Sequence, residues 1–171
     1  MAIDATIGGS VSNSYVTLDE ADTYFESRNH SSDWDECDDE TKEKHLITAT
    51  NQIDWFFDFN GSKTDSTQAL SFPRYECYDN KLDEYVESDI IPNKVKYAVF
   101  ELVLASLNED RFADDDMIGL QEVQIGTLRV KANSSGSWQK SKQPIPEVVY
   151  KILSGLSSLT NSSMFSRVIR F

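Results

Sequence analysis

Thiols and imidazoles are scarce in this chain, which has two cysteines and two histidines. Cys37 and Cys77 stand far apart and outside any C-x-x-C pattern, so they read as reduced thiols and not as a disulfide framework. A zinc site needs about four converging N or S ligands. His30, His45, Cys37 and Cys77 match no ligand spacing. Phosphate-cradling glycine motifs and a G-x-S-x-G nucleophile elbow are absent as well. There is no run of roughly 18 apolar residues to span a membrane. Residues 1–16 have neither the basic region nor the apolar run of a signal peptide. Positive charge is the last shortage: 16 Lys and Arg face 29 Asp and Glu, for a net charge of -13. Affinity for phosphate comes from cations, so such a balance disfavours nucleic acid. The expectation is a protein with no catalytic residues, no cofactor, no metal and no membrane contact.

Carboxylates are abundant, and that abundance makes any chosen acid pair uninformative. The run Asp33, Asp35, Glu36, Asp38, Asp39 invites a calcium reading. Counted from Asp33, however, the sixth residue is Asp38 and the twelfth Lys44, where an EF-hand needs Gly and Glu. The run reads as a solvated, helix-capping face. Arg74 sits among acids and is expected to form a bidentate pair with one of them. The aromatic residues, 11% of the chain, have mostly acidic neighbours, as Trp34 does between Asp33 and Asp35. Stacking on single strands uses aromatics interleaved with Lys or Arg, so core or subunit-interface packing is the better reading.

Along the chain, residues 1–16 are small and polar and read as an extended arm. Thr17 and Glu20 form a capping box, and Leu18, Ala21, Tyr24 and Phe25 share the face of a first helix. Asp39 or Thr41 caps a second helix to about Asp58, with Leu46, Ala49, Ile53 and Phe56 or Phe57 inward and Asn60-Gly61 as its stop. Residues 62–91 show no sustained period. A connection this long suggests a functional segment or contact with a neighbour, and residues 82–86 suit a short strand or turn. Pro92 opens a third helix to about Asp110, with Val95, Val99, Leu102, Val103 and Ser106 on one face. Val123, Ile125, Leu128 and Val130 alternate around Gly126-Thr127 as a β-hairpin. Pro144 and Pro146 open a fourth helix with Val148, Val149, Ile152, Leu153 and Leu156. Residues 154–163 have the composition of a flexible linker.

The expected fold is therefore mainly α: a small bundle of about four helices with one β-hairpin near 121–131. The helical domain covers 17–156, between an N-terminal arm (1–16) and a C-terminal extended anchor (157–171). In the anchor, Met164, Phe165, Val168, Ile169 and Phe171 supply apolar area, while Arg167 and Arg170 add charge suited to an acidic partner groove.

Residues 13–25, Asn-Ser-Tyr-Val-Thr-Leu-Asp-Glu-Ala-Asp-Thr-Tyr-Phe, resemble the opening of a phage protein family. Ala49-Thr50 with Ile53-Asp54, Gly61, and Gln68-Ala69-Leu70-Ser71-Phe72-Pro73-Arg74 continue the likeness. Ile91-Pro92 with Val95-Lys96, Ala98 and Glu101-Leu102, then Ile125-Gly126 and Pro144-Ile145-Pro146, carry it to about residue 156. The family is similar to the head-to-tail connector adaptors of tailed phages and is also labelled DnaT-like single-stranded-DNA-binding. The first resemblance implies a structural, virion-borne subunit made in the host cytoplasm. It forms a homo-oligomeric ring, typically twelvefold, at the neck. Its partners are the portal protein above, which residues 164–171 grip unless they hold a neighbouring subunit instead, and the next connector, stopper or tail protein below. DNA is only a passing polymer in its channel. The second label implies a single-strand binder, and a tail-completion protein is the third reading. The negative charge favours the ring, because a lumen through which DNA slides must not hold it. The acidity of residues 33–43 departs from the family pattern.

Overall fold

The computed structural model describes residues 2–108, 110–111, 122–125, 128–131 and 144–159. Helix α1, Leu18–Glu26, opens on the expected box: the Thr17 hydroxyl accepts from Glu20 N at 3.2 Å, and Thr17 N donates to the Glu20 carboxylate at 3.0 Å. A one-turn helix α2, Ser32–Asp35, follows. Its Trp34 is only 1% exposed, stacked on Phe25 with centroids 4.5 Å apart, and its Nε1 donates to Asp22 at 2.9 Å. The acidic run is thus more than a solvated face, because a core aromatic sits in its middle. Helix α3, Asp39–Phe56, is capped by Asp38, whose carboxylate accepts from Thr41 N at 3.1 Å.

The chain then passes directly into strand β1, Phe57–Phe59, where the sequence had suggested helix to about Asp58. Gly61 turns it into β2, Ser62–Lys63, at φ +73°, and a Cβ there would collide with the Tyr75 carbonyl. Strand β2 pairs with β3, Arg74–Tyr75, and β4, Tyr78–Asp79, pairs with β5, Glu84–Tyr85. Helix α4, Asn93–Ser106, is shorter than expected. Strands β6, Glu122–Ile125, and β7, Leu128–Lys131, form the anticipated antiparallel pair. Helix α5, Glu147–Leu153, follows Pro146 and leads to β8, Ser157–Leu159, which pairs antiparallel with β1.

The mainly α bundle is corrected by this architecture. Among the described residues there are five helices and four two-stranded antiparallel sheets, a mixed fold. Six of the eight strands are two or three residues long, too short to display the alternation by which a strand is read. The linker reading is corrected over residues 154–159, while residues 160–163 lie outside the described residues. Leu156 is fully buried and Ser157–Leu159 is a strand, because its pairing partner β1 lies at the far side of the sequence, where local composition cannot report it.

The core sits where α4 packs between α3 and α5. Val95, Val99, Leu102 and Val103 are fully buried, joined by Leu46, Ile53, Val149 and Leu153. Residues 2–16 carry no helix or strand, yet they fold onto the domain. Asp4 O accepts from Asn13 N at 2.9 Å, Gly9 O accepts from Ala69 N at 3.0 Å, and Tyr15 and Val16 are buried. Tyr15 Oη donates to Asp54, whose other carboxylate oxygen accepts from Ser71 N at 2.8 Å, tying this segment to α3 and to the loop before β3. Among the described residues, no helix is long and apolar enough to cross a membrane.

Candidate functional site

The surface chemistry is set by where the cations go. Arg28 grips Glu101 through Nε and Nη2 at 2.6 and 2.9 Å, and Tyr24 Oη donates to the same carboxylate at 2.6 Å. The Arg28 hydrogen bond holds Glu101 below the usual glutamate range, while burial and then Glu101 push the Tyr24 hydroxyl up to about 12. Lys42 pairs with Asp22, Lys96 with Glu20, Lys44 with Glu40 and Lys151 with Glu147. Lys94 reaches from α4 to the nearly buried Asp79, which also accepts from Lys81 N and Leu82 N. Burial pushes Asp79 up, but the Lys94 bond and these two N–H groups more than offset it, leaving its pKa below the ordinary value. Lys63, Lys81 and Arg111 donate to the carbonyls of Gln68, Lys151 and Pro144.

Arg74 corrects an expectation. Its partners are not carboxylates: the guanidinium donates to the carbonyls of Asn60, Ser71, Phe59 and Gly61 at 2.7–3.1 Å. The planar fork of five donors suits this cluster of turn carbonyls. Each of the ten Lys and Arg side chains described is therefore engaged within the chain. The other six, Arg129, Lys131, Lys140, Lys142, Arg167 and Arg170, all follow residue 128.

Two grooves flank α4. The first, of about 460 Å³, has a floor of Tyr24 stacked on Phe100 (centroids 4.6 Å apart) and beside Tyr97 (5.7 Å), with Asp19, Glu20 and Lys96 at its rim. The second, of about 530 Å³, lies between α3 and the end of α4 and includes His45, Thr48, Gln52, Leu107 and Asn108. Burial lowers the His45 pKa, which favours the neutral imidazole, and the buried Gln52 Oε1 has no hydrogen-bond partner. Both grooves can receive a side chain or a peptide edge.

Sequence reasoning missed Gln52 and Tyr97. Tyr97 and Phe100 stand at i and i+3 on α4, beside the apolar stripe, and that spacing is the signal that finds them. Of the aromatics assigned to core or interface, Tyr15 and Trp34 are core, whereas Trp55 and Tyr85 are each 69% exposed. Cys37 donates to Asp33 O at 3.2 Å, and Cys77 is buried. Among the described residues no group of three or more His, Cys, Asp and Glu converges as metal ligands. The expected anchor residues Met164, Phe165, Arg167, Val168, Ile169, Arg170 and Phe171 lie outside the described residues.

Fold and surface together define a small mixed domain with an ion-paired, acidic exterior and two grooves beside its central helix. Over residues 1–171 the chain matches the profile of a family described as "Putative DnaT-like ssDNA binding protein", and it belongs to that family. No curated protein and no solved structure matches it.

Proposed function

We propose that the protein is a structural adaptor of a tailed-phage neck, a subunit of a ring beneath the portal through which DNA passes. The observation that supports this reading best is that the nine Lys and Arg side chains up to Arg111, together with Lys151, are all engaged within the chain. Phosphate binding draws its free energy from cations that neutralise the backbone and release counterions. An arginine or lysine already matched to a carboxylate or a carbonyl offers little of that. A channel wall of this kind lets the polymer slide. In this reading residues 164–171 hold the portal, and the next connector, stopper or tail protein binds the opposite face.

The test uses portal-bearing heads that lack the adaptor. Full-length protein should attach to them, and a chain shortened by residues 160–171, which keeps β8, should stay folded and fail to attach. Unfolding of the shortened chain would assign the tail to the core. Normal attachment would remove the anchor role.

The family description favours a second reading, single-strand binding, and so do the six remaining cations, Arg129, Lys131, Lys140, Lys142, Arg167 and Arg170. Fluorescence anisotropy with a single-stranded oligonucleotide separates the two. The adaptor reading expects no sub-micromolar, salt-dependent binding by the full chain. Such binding would replace the adaptor reading with the second one.

A further inference from the structure

Helix α1 is acidic along its length. It carries Asp19, Glu20, Asp22 and Glu26 and no cation. Glu20 is paired with Lys96 and Asp22 with Lys42, whereas Asp19 enters none of the ion pairs among the described residues. Where α1 meets α4, Asp19 stands at the rim of the groove of about 460 Å³ whose floor is Tyr24, Tyr97 and Phe100. Tyr24 is anchored twice: its ring stacks on Phe100, and its hydroxyl donates to Glu101, which Arg28 also grips. Tyr97 is 46% exposed, so much of its ring meets solvent.

Two properties of the groove select its occupant. An aromatic face attracts a cation through the ring quadrupole, most often the planar guanidinium of arginine, which stacks on it. A carboxylate at the rim adds Coulomb attraction and accepts a charge-assisted hydrogen bond. Among the described lining residues the one cation is Lys96, and its charge is matched by Glu20, so the charge of Asp19 stays uncompensated. The anchored Tyr24 ring needs no ordering when a ligand arrives, which lowers the cost of binding. A nucleobase would also stack on Tyr97, but its phosphates would meet Asp19 on a protein of net charge -13.

We propose that the groove between α1 and α4 is a binding site for an arginine side chain of a basic partner polypeptide. The guanidinium lies on the exposed ring of Tyr97, and its N–H groups donate to the Asp19 carboxylate. The arginine stem covers the apolar floor. The site belongs to a single chain, so it stands whether or not the adaptor reading does.

Heteronuclear NMR titration of the full chain tests this. The probe is N-acetyl-arginine N-methylamide, and the comparison is its citrulline counterpart, alike in shape but uncharged. The arginine compound should move the main-chain amides of Asp19, Tyr24, Tyr97 and Phe100 saturably in the millimolar range, as a single side chain allows. The citrulline compound should bind at least about fivefold more weakly. Tyr97→Leu, which keeps apolar bulk and removes the ring, should weaken arginine binding by about threefold. Asp19→Asn should weaken it by about twofold to fivefold, and added salt should narrow its difference from wild type. Both positions are exposed, so the thermal midpoint should stay near that of wild type. Shifts that remain linear, or equal affinity of wild type for the two compounds, would overturn the proposal without recourse to a variant. So would shifts confined to another surface, or unchanged affinity in Tyr97→Leu. A single-stranded oligonucleotide that moves the same amides more strongly than the arginine compound would overturn it in favour of nucleic acid.

Discussion

The helices and the segment from residue 57 to residue 91 share one apolar core but differ in how much side-chain polar bonding shapes them. Between α3, α4 and α5 the cohesion is apolar: Leu46, Ile53, Val95, Val99, Leu102 and Val149 meet in one buried cluster. Around β1 to β5, Phe57, Phe59, Leu70, Phe72, Cys77 and Ile91 join the same buried core, and a dense set of short-range polar bonds is added to it. Arg74 gathers four carbonyls, Asp79 gathers two N–H groups and a lysine, and the Gln68 amide donates to Leu70 O and Pro73 O at 2.8 and 3.1 Å. The contrast teaches that a polar side chain can replace the regular ladder where strands are only two residues long. Such a segment is specific in shape because hydrogen bonds are directional, while burial of apolar area is not.

Substitutions in the two regions should behave differently. The largest effect belongs to the helical side. Leu102→Ala should cost about 2–5 kcal/mol in urea unfolding, the range for truncating a fully buried leucine. It should raise hydrogen exchange throughout the domain. A loss under about 0.5 kcal/mol would mean that α4 is not the central element. Next comes Arg74→Ala, which leaves several turn carbonyls without donors and should cost about 1–3 kcal/mol. Here exchange should rise mainly in residues 57–91. Uniform loosening of the helices as well would erase the distinction between the regions.

Smaller still is Thr17→Ala, which removes the α1 cap and should cost about 1 kcal/mol, read as a shift in thermal midpoint. The weakest effect is one of pH. Glu101 is held below its ordinary value of 4.5, chiefly by Arg28, so the folded state binds its proton less readily than the unfolded chain does. Its contribution is fully present above about that value and is lost as pH falls through the folded pKa. Glu101→Gln should flatten the acid limb of a stability–pH curve while leaving the limb near neutrality parallel to wild type. An unaltered acid limb would show that the pair adds nothing to folding.

Legibility in the sequence followed the same division. The capping box at Thr17, the stripe on α4 and the β6–β7 alternation were all readable because they are local patterns with a fixed period. Strands β1 and β8 were not, since Phe57–Phe59 looks like the end of α3 and Ser157–Leu159 looks like linker until each is placed beside the other. The destination of Arg74 was equally hidden. Acids surround it along the chain, yet the turns bring carbonyls nearer.

By itself the sequence determined the helices that carry an amphipathic period, the acidic balance, and the position of every cation along the chain. Periodicity and net charge are properties of order and composition, and they survive any folding. Only the tertiary structure decided that ten cations find partners inside the chain, that the N-terminal segment closes over the core, and that the fold is mixed. Those outcomes depend on which distant residues meet, and a hydrogen bond forms only between groups brought to about 3 Å of each other.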